Sequence, residues 1–118
     1  MRFALLIYSN EADRASLSEA DTHENMGKWF AYTEDLRNSG KMLAGEALMS
    51  TSTAHTVKIN NGETTITDGP FAETKEQFGG FYLIEADSWE EAAESAKKMP
   101  VIEGGSVEIR PVMEFDQD

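Results

Sequence analysis

Every side chain over residues 3–8 is apolar, and neighbouring strand residues point to opposite faces. Phe3, Leu5 and Ile7 therefore share one face and Ala4, Leu6 and Tyr8 the other, which predicts a central strand over 2–8 covered on both sides. Residues 9–21 are polar and acidic, with Ser18 and Asp21 at capping-box-like spacing. Met26, Trp29, Phe30, Thr33 and Leu36 then recur with helical period, so a first helix is expected over 22–39, stopped by Gly40. A short strand follows over 42–48, where Gly45 suggests a bulge. Residues 50–55 look like a loop. The β-branched runs 56–59 and 64–67 flank Asn60-Asn61-Gly62-Glu63, and Asn-Gly in that setting predicts a hairpin. Residues 68–80 read as an irregular connection, and 81–86 as a second strand apolar on both faces. Ser88-Trp89-Glu90-Glu91 is a capping box that opens a second helix. That helix places Trp89, Ala92, Ala93, Ala96 and Met99 on one side and ends at Pro100. A last strand spans 106–112, and Pro111, which cannot donate to a ladder, assigns it to an edge or a strand end. The acidic tail 114–118 is expected to fray.

With the hairpin set aside, the order is β-α-β-β-α-β, the ferredoxin-like split β-α-β arrangement. The fold class is α+β: an antiparallel sheet with both helices on one face and an inserted β-hairpin. Two helices cover one face only, whereas the two central strands are apolar on both. Left bare, the second face would be a large exposed apolar patch. A homodimer stacked through the sheet face, closing a dimeric α+β barrel, is the expectation, and about 800 Å² buried per chain makes a standard interface.

The length of 118 residues suits a single domain over 1–118. Absence of cysteine excludes thiol catalysis, disulfides and Cys-ligated zinc. Ten basic residues against 22 acidic ones give a net charge of −12, which argues against nucleic acid and anionic membrane surfaces as partners. No apolar run approaches the roughly 18 residues of a membrane span. The apolar start lacks the small-residue cleavage site of a signal peptide, so a soluble cytoplasmic protein is expected. The two histidines show no metal-ligand spacing, and neither a metal nor a cofactor is expected.

Several residues have both a structural and a chemical reading. Asp68-Gly69-Pro70 is a turn sequence, and alternatively Asp68 and Glu73 are carboxylates at the mouth of the barrel with Lys75 as counter-charge. Gly79-Gly80 allows a bulge or a close approach of backbone to a ligand. Tyr8 and Tyr82 lie on the central strands, where they pack at the dimer interface or turn their hydroxyls into a cavity. His23 is a solvated first-turn histidine or a general base; His55, before the hairpin, is a weaker candidate. Arg110 has the opposite parity to Val107 and Ile109, and either makes a surface ion pair or points inward to a carboxylate ligand or Glu46. Trp29, Phe30, Trp89 and Met99 form a stripe read as core, with Trp29 also at the edge of the candidate pocket between sheet and first helix.

The run Thr67-Asp68-Gly69-Pro70-Phe71-Ala72-Glu73-Thr74-Lys75-Glu76-Gln77-Phe78-Gly79-Gly80-Phe81-Tyr82 resembles the signature of the DGPF branch of the YCII-related family. Residues 3–8, 29–45 and 107–112 resemble that family's opening strand, first helix with its following glycine, and closing strand. The resemblance implies a ferredoxin-like dimeric α+β barrel and much less about activity. The wider family includes a dehydrochlorinase and is thought to use a His–Asp pair on the first helix. Counted back from Gly40, those positions fall near Lys28 and Asn38, with His23 too early and Asp35 on another helix face, so the pair does not carry over. Two functions follow as expectations. One is a cofactor-free lyase or hydrolase for a small organic molecule, with proton transfer by Asp68, Glu73 or His23. The other is a non-catalytic dimer that binds a ligand or a regulatory partner. A dimer whose role is mainly structural is a third reading.

Overall fold

Strand β1 (Arg2–Ser9) runs through the middle of a four-stranded antiparallel sheet, flanked by β5 (Gln77–Glu85) on one side and the edge strand β6 (Ser106–Pro111) on the other. Strand β2 (Met42–Ala47) pairs with β5 at the opposite edge, giving the order β2-β5-β1-β6. These relations come from a computed structural model that describes residues 1–115. Two further strands, β3 (His55–Asn60) and β4 (Glu63–Asp68), form a separate two-stranded sheet. Without them the order of elements is the ferredoxin-like one expected from sequence. Helices α1 (Glu11–Ala15), α2 (Glu19–Asn38) and α3 (Trp89–Lys97) complete the chain, with a 3₁₀ turn at Thr51–Thr53.

Side-chain alternation divides the sheet into two unlike faces. Phe3, Leu5, Tyr82 and Ile84 point towards the helices and are buried together with Tyr32 and Leu36 of α2 and Ala92 of α3. On the opposite face, Ala4, Leu6, Phe81 and Leu83 are only half-buried. The described chain measures 52 × 46 × 19 Å, thin enough for one helical layer on one sheet and no third layer. It exposes 8647 Å², where a compact monomer of this mass exposes about 6,400 Å². Its radius of gyration is 16.5 Å against about 13.5 Å for a compact domain of this length. No helix among the described residues is long and apolar enough to cross a membrane.

Local chemistry explains the element boundaries. Ser18 Oγ accepts from the Asp21 N–H at 3.0 Å, so α2 opens at Glu19, ahead of the expected residue 22. Asn10 caps α1 in the same way at 2.9 Å, a helix hidden in what reads as a polar loop. Ser88 caps α3, and Glu91 reaches back to the Asp87 N–H. Gly40 stops α2 at φ 79°, and Asn61 and Gly62 both have positive φ, as a type I′ hairpin turn requires.

Other expectations are corrected. Strand β5 begins at Gln77 rather than residue 81, because Gly79 is an extra residue between the Ile7–Gly80 and Tyr8–Phe78 pairs and lets the ladder continue. In β2 the register shifts at Leu43, not at Gly45. Gly45 is required for another reason: a Cβ there would lie 2.8 Å from the Tyr82 ring. Phe30 and Trp89, read as core, are 69% and 60% exposed. In the tail, Arg2 grips Glu114 with two bonds of 2.8 Å; residues 116–118 lie outside the described part of the chain.

Leu5 is completely buried between the central strands and the helices. Leu5→Ala should lower unfolding free energy in urea by about 2–5 kcal/mol, and a loss below about 1 kcal/mol would contradict this packing.

Candidate functional site

The floor of the site is a low stretch of sheet. Gly45 on β2 sits opposite Tyr82 on β5, and Gly80 opposite Ala47, so two floor positions carry no side chain. A Cβ on Gly80 would meet the Glu46 carbonyl oxygen at 2.8 Å, which holds the two backbones in close contact. Helix α2 crosses above this floor. Tyr32 and Leu36 face the core, while Met26, Trp29, Phe30 and Thr33 face a groove of about 1080 Å³ that also includes Glu46 and Tyr82. The apolar stripe of α2 is therefore wider than the sheet can seat, and its unseated part lines the groove.

Aromatic rings form the inner wall. Trp29 and Tyr82 lie nearly parallel, 13° apart with centroids at 6.4 Å, and Tyr32 meets both edge-on. The Tyr32 hydroxyl donates to the Ser95 carbonyl at 2.8 Å, tying α2 to α3. Burial pushes its phenol up to about 12, helped by neighbouring Tyr82. The Tyr82 hydroxyl shares a short hydrogen bond with Thr33 Oγ1, in which either oxygen serves as donor.

Helix α1 closes one end. Glu11 accepts from the Thr51 N–H at 2.9 Å and the Thr51 hydroxyl at 2.6 Å, and its own N–H donates to Gln77 Oε1 at 2.8 Å. The Asn10 amide donates to the Lys75 carbonyl at 2.8 Å. The hydrogen bond from the Thr51 hydroxyl holds the Glu11 carboxyl below its ordinary value of 4.5; partial burial opposes it, while the Thr51 N–H and Arg14 reinforce it. The Arg14 guanidinium lies over Gly79, 3.4 Å from where a Cβ would stand. Arg14 and Arg37 are the cations of the lining, and Glu11 and Glu34 its carboxylates. Among the described residues, no three histidine or carboxylate side chains converge as a metal cage would need.

Of the residues singled out from sequence, the structure brings Trp29 and Tyr82 together in the groove, while Glu46 borders it through its backbone and shares the opposite sheet face with Phe81. Asp68 is at the exposed end of β4, where its carboxylate meets His55 Nδ1 at 3.1 Å. Glu73 and Lys75 are exposed on the connection to β5 and do not line the groove. His23 is exposed on the first turns of α2. Tyr8 faces the opposite side of the sheet against Phe78, with ring centroids at 5.5 Å. Arg110 bonds Glu108 at 2.7 Å rather than Glu46, the surface ion pair of its structural reading. Near the positions counted back from Gly40, Lys28 pairs with Glu24 at 3.5 Å on the surface, and Asn38 lines the groove. Thr33, Arg14 and Glu11 were not singled out. The Asn10-to-Asp13 cap spacing was the available signal for α1, and Thr33 lay within the apolar stripe itself.

Residues 1–116 match the YCII-related domain. An uncharacterised protein of Rhizobium meliloti (strain 1021) is 36% identical over 114 residues, covering 95% of this chain and 92% of its relative. Among solved structures, the 5-chloro-2-hydroxyhydroquinone dehydrochlorinase of Burkholderia phenoliruptrix AC1100, in complex with 2,5-dihydroxybenzoquinone, superposes with a TM-score of 0.57 at 16% identity. The match covers 98% of this chain and 96% of that one, a likeness of fold.

Because the Glu11 carboxyl titrates lower in the folded chain than its ordinary 4.5, its contact with Thr51 contributes fully above that value and is lost as pH falls through the lowered one. Protection of the Thr51 amide, measured against the intrinsic exchange rate at each pH, should therefore fall in acid, and Glu11→Gln should remove that pH dependence. Equal protection well above and well below 4.5 would show that α1 is held by other contacts.

Proposed function

The chain belongs to the YCII-related domain family, and from that premise we propose that it binds a small planar organic molecule in the α2 groove and acts on it as a cofactor-free lyase or hydrolase. The aromatic wall carries this reading: Trp29 offers a ring face beside Tyr82, whose hydroxyl is oriented by Thr33. A flat ring laid on that wall meets apolar surface on one side. Around it stand Glu34, to take a proton, and Arg14 and Arg37, to balance a developing oxyanion. The fold neighbour's bound dihydroxybenzoquinone, a planar oxygenated ring, supports that choice of ligand class. In this proposal Tyr82 and Glu34 exchange protons with the ligand. Asp68, Glu73 and His23, outside the groove, take no part.

A non-catalytic ligand- or partner-binding dimer is the second reading, and one observation favours it. The Glu11 carboxylate is already occupied by Thr51, so this groove carboxylate serves structure rather than proton transfer.

The proposal includes a homodimer. Ala4, Leu6, Phe81 and Leu83 form a half-buried apolar face with no layer over it, on a slab 19 Å thick. Stacking two such faces would bury about 800 Å² per chain, enough for a specific interface, and would close a two-chain barrel.

Two outcomes are expected. Thermal denaturation against a panel of hydroxylated aromatic compounds should find ligands that raise the melting temperature, and Trp29→Ala should weaken them about two- to tenfold. Silence across the panel, or ligands indifferent to Trp29→Ala, would overturn the groove as the site. Sedimentation should show a dimer at micromolar concentration and a monomer for Leu6→Arg; a native monomer would overturn the face-to-face arrangement.

A further inference from the structure

We propose that the β3–β4 hairpin is a dimerisation arm whose apolar face packs against a second copy of this chain. The inference rests on the face-to-face dimer proposed above and adds a separate contact to it. The hairpin register pairs Val57 with Ile66 and Ile59 with Thr64. Alternation then puts Val57, Ile59 and Ile66 on one face, and Thr56, Lys58, Thr65 and Thr67 on the other. The three aliphatic side chains are 56%, 78% and 70% exposed. An apolar stripe on one face only is the pattern of a ribbon that covers something.

Nothing within the described chain is covered by it. The hairpin has no third strand and packs substantially against no other element. It is anchored at its base, where the Gly69 N–H donates to the Ala54 carbonyl and the Thr56 hydroxyl to the Gly69 carbonyl, each at 2.7 Å. Two strands alone are marginal in water, so the ribbon requires a surface to lie on.

A second copy suits that surface on three grounds. The chain exposes about a third more area than a compact monomer of its mass, and the surplus exceeds the roughly 1,600 Å² that a stable dimer buries in total. Copies carrying −12 each repel one another except through uncharged patches, and between the His55–Asp68 pair at its base and the turn, the aliphatic face carries no charged side chain. The arm also leaves the chain between the end of β2 and the start of β5, so it is joined to one end of the sheet whose open face the copy would occupy. Two-fold symmetry makes the contact reciprocal, one arm from each copy.

The experiment compares native chain, the double variant Ile59→Asp with Ile66→Asp, and Leu6→Arg by sedimentation across a dilution series. The arm variant should dissociate about tenfold or more readily than native, with unchanged far-ultraviolet circular dichroism. If it dimerises like native while Leu6→Arg is monomeric, the arm is overturned and the sheet contact stands. Hydrogen exchange on the unmodified chain gives a readout without mutation: amides of 55–60 and 63–68 should gain protection as concentration rises through the dimer range. Protection independent of concentration would overturn the arm, including the case in which a different protein is its occupant. A native chain that stays monomeric at every concentration would overturn both contacts.

Discussion

The structure depends on an imbalance between one sheet and its cover. Strands β1 and β5 are apolar on both faces, and α2 and α3 seat on one of them. On the covered side, Phe3, Leu5 and Ile84 are almost fully removed from water. Burial of such side chains is worth about 1.5–3 kcal/mol each, so this side dominates the stability of the protomer. The uncovered side makes the molecule a thin slab with surplus surface. In the proposed dimer self-association covers that surplus, and the hairpin's aliphatic face belongs to the same surplus.

The groove has a related origin. Helix α2 carries more apolar side chains than the sheet beneath it accepts, because Gly45 and Gly80 leave the floor low and Tyr82 leans across Gly45. Tyr32 and Leu36 take the core positions, and Met26 and Phe30 are left facing open space. Such a mismatch leaves a concave, mostly apolar space with a few polar groups, the usual character of small-molecule sites. Helix α1 shapes one end by joining the Thr51 turn to the start of β5 through Glu11 and Asn10. Arg14 is thereby held beside the glycine bulge.

Much of the fold was legible in local pattern. The alternation of residues 3–8 and 81–84 identified both central strands, Asn61-Gly62 the hairpin, Ser88 and Glu91 the start of α3, and Pro111 an edge. Misreadings occurred where tertiary pairing overrides pattern. Gly79 and Gly80 read as loop residues but continue β5, because a bulge absorbs one residue without ending the ladder. Trp89 opens its helix with an apolar residue yet stays exposed, since the inward side of α3 is set by Ala92, with Met99 buried just past the helix end. The groove was less legible than the fold. Asp68, Glu73 and His23 stand out in the sequence because carboxylates and imidazoles advertise chemistry, whereas the aromatic wall and glycine floor of the groove resemble ordinary core and strand residues.

By itself, the sequence determined the order of elements apart from α1, the ferredoxin-like topology, the absence of thiol chemistry and the excess of apolar strand surface. All of these follow from local periodicity and composition, which need no knowledge of distant contacts. Tertiary structure alone decided that Tyr82 turns to α2 and Tyr8 away from it, that Arg110 meets Glu108, and that the hairpin stands apart with its aliphatic face open. Those outcomes depend on register and on which side chains compete for a limited covered area, and no single segment of the chain encodes that competition.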